Sequence, residues 1–127
     1  MNDLTREWVE KAEADLDTAT REAAVAGRPN LDAVGFHAQQ CAEKYVKGVL
    51  QEAGIAFPRT HDLVRLVDLA APVAPDLLQF RPELPFLTAF AVEGRYPGFA
   101  VDEEDARDAL RIAAEARRIS RAFLGLD

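Results

Sequence analysis

The chain is 127 residues long, with 49% hydrophobic and 29% charged residues and a net charge of −7 at pH 7. That length supports one hydrophobic core without disulfide or metal staples, so a single domain over residues 1–127 is expected. The acidic balance argues against a broad non-specific nucleic-acid binder, which needs many Lys and Arg contacts to phosphate.

One cysteine, Cys41, cannot close an internal disulfide and fits a reduced, cytoplasmic setting. The opening stretch MNDLTREWVEKAEADL is charged throughout and has no signal-peptide pattern. No apolar run approaches the roughly 20 residues of a membrane span, so no membrane association is expected.

Five helical segments and no strand are predicted. Asp3 is placed to cap the first, over residues 6–26, with Trp8, Ala12, Leu16, Ala19 and Ala23 along one face. Gly27, Arg28 and Pro29 end it. Asn30 caps the second helix, which runs to about Ala53 and stops at Gly54. Thr60 is placed to cap a short third helix over residues 61–71, with Leu63, Leu66, Val67 and Ala70 inward. A fourth occupies part of residues 76–92, in two pieces because prolines interrupt it. Asp102 opens the last, whose early acids Glu103, Glu104 and Asp105 complement the helix dipole. Its alanine-rich face suits close antiparallel packing against the first helix. The expected fold is an all-α, up-and-down bundle of four to five helices.

Residues 36–50, FHAQQCAEKYVKGVL, are the most informative stretch. At about 100° per residue, Ala38, Ala42, Tyr45 and Val49 share one side and Phe36, Val46 and Leu50 another. Gln39 and Glu43 fall beside these. His37, Gln40, Cys41, Lys44 and Gly48 take the remaining arc, with Lys47 at its edge. A split apolar surface marks a helix buried between neighbours or lying in a dimer seam. The polar arc is then either a solvated strip with a Glu43–Lys47 pair, or a site lined by His37, Gln40 and Lys44.

Further along stand Thr60-His61-Asp62-Leu63 and Arg95-Tyr96-Pro97. The order W-x-x-x-A-x-x-D-L (from Trp8), FHAQQCAEKYVKGVL, THDL and RYP resembles the HEPN domain, named for higher eukaryotes and prokaryotes nucleotide binding. The resemblance covers the chain from about Trp8 to Phe123. It implies a helical bundle that homodimerises, is often encoded beside a minimal nucleotidyltransferase, and serves in toxin–antitoxin pairs, as an RNase or as a nucleotide or RNA binder. The nuclease branch carries an Arg and a His separated by four to six residues. Here the positions after Arg95 at that spacing hold Ala100, Val101 and Asp102, while Arg59–His61 and Arg28–His37 are spaced wrongly. The chain is therefore not expected to share that RNase site.

The candidate ligand-binding residues are His37, Gln40, Lys44, His61, Asp62, Arg95 and Tyr96. Arg95 offers a planar fork of donors for phosphate and Tyr96 a ring for stacking. His37 and His61 are the weak catalytic candidates, for an RNase with a non-standard site. Asp15 is expected to anchor Lys44 or Arg95, and Asp15 with Glu43 are the carboxylates available for acid–base work. Two histidines without zinc-like spacing give no metal site, and no cofactor is implied. The remaining alternative is a purely structural interaction domain.

Overall fold

The computed structural model describes residues 1–94 and 96–127. Among the described residues there is no strand, and five α-helices with one 3-10 segment make an all-α bundle.

Helix α1 spans Asp3–Ala23 and is capped by Asn2, whose side chain accepts from the Thr5 amide. Asp3, expected as the cap, is instead the first helical residue. Asn2 and Asp3 cap equally well in isolation, and a long-range contact decides between them: the Asn2 amide donates to Glu52 at 3.0 Å. The helix also stops before Gly27, at Ala23. Glu22 accepts from the Asn30 amide at 3.0 Å, so the chain is already turning toward the next helix.

Helix α2, Leu31–Ala53, matches expectation at both ends, with Asn30 capping it and Gly54 in the left-handed conformation at φ 71°. It is the axis of the bundle, packed on α1, α3 (Leu63–Ala70), α4 (Leu84–Val92) and α5 (Glu103–Leu124). The cap of α3 is Asp62 rather than Thr60, because Asp62 accepts from the Val64 and Arg65 amides. Thr60 receives the Asp62 amide instead, which leaves His61 outside the helix. The proline-punctuated region forms two pieces as expected, a 3-10 segment at Pro75–Glu83 and then α4.

Helix α5 opens with a capping box between Asp102 and Asp105. Its alanine stripe packs chiefly on α2, with only a narrow seam to α1, which corrects the expected pairing. Residues 29–32 and 99–101 share one cleft, and Arg121 reaches Tyr45. Helix α5 therefore runs alongside α2 and antiparallel to α1. The stripe Ala106, Ala109, Ala113 and Ala116 is at most 4% exposed, which lets the α5 and α2 axes approach closely.

Close approach also governs the other side of α2. A Cβ on Gly35 would lie 2.8 Å from Phe90 Cδ1, so glycine there admits the aromatic ring of α4. Phe90 is held in turn by edge-to-face contacts with Phe86 and Phe99.

Candidate functional site

Glu43 lies on α2 with its side chain 4% exposed, and a carboxylate so placed needs partners. It has three. Gln39 Nε2 donates to Oε1 at 2.9 Å, His61 Nδ1 bonds the same oxygen at 2.8 Å, and Lys47 Nζ donates to Oε2 at 2.9 Å. Gln39 is itself fully buried and accepts from Gln40 Nε2 at 2.7 Å. The i,i+4 pair Glu43–Lys47 therefore forms, but inside the protein rather than on a solvated strip.

The network ends in a groove of about 680 Å³ lined by Trp8, Lys47, Phe57, Pro58, Arg59, Thr60 and His61. Trp8 and Phe57 meet edge-to-face with centroids 6.3 Å apart. The Lys47 ammonium stands 5.5 Å from the centre of the Trp8 ring, a cation–π contact. Arg59 is exposed and makes no ion pair among the described residues. The groove thus brings two aromatic rings together with a fixed ammonium, an unpaired guanidinium and an imidazole.

His37, Gln40 and Lys44 sit half-buried on the arc of α2 expected for them, but only Gln40 joins the network above, and none of the three lines the groove. Asp15 of α1 collects the other two, bonding His37 Nδ1 at 2.8 Å and Lys44 Nζ at 2.5 Å. The Asp15–Lys44 pairing thus forms as expected. His37 also faces a smaller cleft of about 360 Å³ with Asn30, Asp32, Ala33, Phe36 and Gly94. Cys41, on the same arc in projection, is fully buried, and burial pushes its thiol well above the usual range. It acts as a small apolar group.

Of the remaining candidates, Asp62 is occupied in capping α3. Tyr96 is 68% exposed in the turn after α4 and does not line the groove. Arg95 lies outside the described residues. Ser120 is fully buried on α5, and its hydroxyl has no hydrogen-bond partner among the described residues.

A second carboxylate cluster ties three helices together. Glu13 of α1 takes a two-pronged contact from Arg117 of α5, at 2.8 and 3.0 Å, and the hydroxyl of Tyr45 of α2 at 2.5 Å. The Arg117 hydrogen bond holds the Glu13 carboxyl below its ordinary range, with burial opposing and Tyr45 assisting.

Sequence reading missed Trp8, Phe57 and Arg59 as groove residues and undervalued Glu43. The available signal was the helical projection, in which Gln39 and Glu43 fall beside the two apolar sides of a helix buried between neighbours. No group of three or more His, Cys, Asp or Glu able to hold a metal converges among the described residues. None of the helices is long and apolar enough to cross a membrane, again among the described residues.

The HEPN domain family model matches residues 5–122. No curated protein matches the chain. Among solved structures, TT1696 from Thermus thermophilus is similar over 94% of this chain and 97% of its own, with a TM-score of 0.75 and 23% identity. At that identity the likeness speaks to the fold.

Proposed function

This chain belongs to the HEPN domain family, and from that premise we propose that it is a binding module whose groove takes a nucleotide or the end of an RNA. One observation carries the reading. The Trp8–Phe57 wall lies in the same groove as Lys47, Arg59 and His61. A base stacks on the aromatic wall, which is worth about 1–3 kcal/mol per base. Its phosphate meets Arg59, whose donors match phosphate geometry.

The acidic net charge is compatible with this. Lys44 is paired with Asp15 and Arg81 with Asp68, whereas Arg59 in the groove makes no ion pair among the described residues and is free to meet a phosphate. A short ligand suits such a surface better than long duplex.

Family membership supports the rest of the proposal: a cytoplasmic homodimer that pairs with a minimal nucleotidyltransferase in a toxin–antitoxin type system. Co-purification of the two proteins and the dimer mass by light scattering test that part.

Trp8 is the single tryptophan, so its fluorescence reports the groove directly. Titration with AMP or a short RNA is expected to quench it saturably, and Arg59→Ala to weaken binding about tenfold or more. Saturable binding that ignores Arg59→Ala and leaves Trp8 emission unchanged would place the site elsewhere.

A further inference from the structure

We propose that His61 makes the groove selective for ribose: its outward Nε2 accepts a hydrogen bond from a ribose hydroxyl of the bound nucleotide. The inference rests on the nucleotide reading above and assigns one residue a role in specificity.

The Glu43 carboxylate receives the Lys47 ammonium, the Gln39 amide and the His61 ring. Gln39 must present its nitrogen to Glu43, because its oxygen already accepts from Gln40. With Glu43 serving as acceptor, Nδ1 carries a proton, and in that neutral tautomer the lone pair is on Nε2. Nε2 lies on the opposite edge of a ring whose side chain is 51% exposed, in the wall of the groove, and has no partner among the described residues.

An inventory of acceptors leaves few besides this atom. Among the side chains lining the groove, Trp8, Lys47 and Arg59 only donate, and Phe57 and Pro58 do neither. The Thr60 oxygen already accepts from the Asp62 amide. Asp62, the nearest carboxylate in sequence, uses Oδ1 to cap α3 and does not line the groove. Donors crowd the groove where a phosphate binds; Thr60 Oγ1 keeps one lone pair beside its bond to the Asp62 amide, and His61 Nε2 is the side-chain acceptor with no bond at all among the described residues. A site with an acceptor poised for a hydroxyl discriminates against a ligand lacking it.

The test is a Trp8 fluorescence titration with the four nucleoside 5′-monophosphates, each as the ribose, 2′-deoxy and 3′-deoxy form. Wild type and His61→Asn are compared, with thermal midpoints confirming that both fold. The asparagine amide occupies the place of Nδ1 and keeps a donor to Glu43, but nothing replaces Nε2. Wild type is expected to bind the ribose form about three- to tenfold more tightly than at least one deoxy form. His61→Asn is expected to bind all three alike, at the affinity of wild type for the deoxy form. Equal affinities in wild type, or a ribose preference that persists in His61→Asn, would overturn the assignment while leaving the nucleotide reading intact. Absence of binding by every monophosphate would remove that reading and the assignment with it.

Discussion

Glu43 and His61, 18 residues apart in the chain, are joined by a 2.8 Å hydrogen bond that fastens the loop after α2 to the helix it has just left. The same carboxylate holds Lys47 against Trp8, so one buried acid organises both polar and aromatic groups of the groove.

Glu43→Ala is therefore expected to destabilise the fold by about 2–4 kcal/mol, since it strands the buried Lys47 ammonium and Gln39 amide without an acceptor. Glu43→Gln keeps the shape and one acceptor oxygen and costs less, about 1–2 kcal/mol. Urea denaturation of the three proteins measures this. A Glu43→Ala variant as stable as wild type would show that the network contributes nothing to the fold.

The Glu13–Arg117–Tyr45 cluster predicts how stability responds to pH. The Glu13 carboxyl is depressed in the folded state, chiefly by Arg117. Its contribution is full above the unfolded value of about 4.3 and is lost as pH falls through the lower folded value. Tyr45 shifts upward, first by burial and then by its bond to Glu13, so its contribution holds below about 10 and is lost as pH rises beyond it. Wild type should lose stability more steeply than Glu13→Gln between about pH 5 and 2. Parallel denaturation curves for the two proteins across that range would refute the linkage.

At Gly35 the prediction is steric. Phe90 is 2% exposed and gripped by Phe86 and Phe99, so it cannot retreat from an added methyl that arrives at 2.8 Å. Gly35→Ala should cost about 1–3 kcal/mol by overpacking, despite alanine's better helix propensity. A Gly35→Ala protein more stable than wild type by calorimetry would mean that the ring yields.

How far these features were legible in the sequence depends on their range. Helix existence follows from local periodicity, and the caps Asn30 and Asp102 and the stop at Gly54 follow from local chemistry. The caps at Asn2 and Asp62 were misjudged by one or two positions, because neighbouring residues have the same capping chemistry; Asn2 is also held by distant Glu52, while Thr60 is occupied by the Asp62 amide. Partner choice for α5 was harder still, since a small-residue stripe says that something packs closely without saying what. The groove is the extreme case: Trp8 belongs to α1 and Phe57 to a loop, and no spacing rule relates them. Asp15 meets Lys44 as expected and also takes His37, which was not expected, and the three form an adjoining cluster outside the groove. His61 was legible as chemistry, but its link to Glu43 depends on how residues 55–62 fold back.

The most direct measurement is a thermal-shift series with AMP, ATP, GTP and a short RNA, on wild type and Arg59→Ala in parallel. A ligand that binds the folded state stabilises it by about 2.7 kcal/mol at a hundred times its Kd. The groove reading predicts a concentration-dependent rise in Tm for wild type with at least one of these ligands, and a much smaller rise for Arg59→Ala. No rise with any ligand, or an equal rise in both proteins, would contradict it.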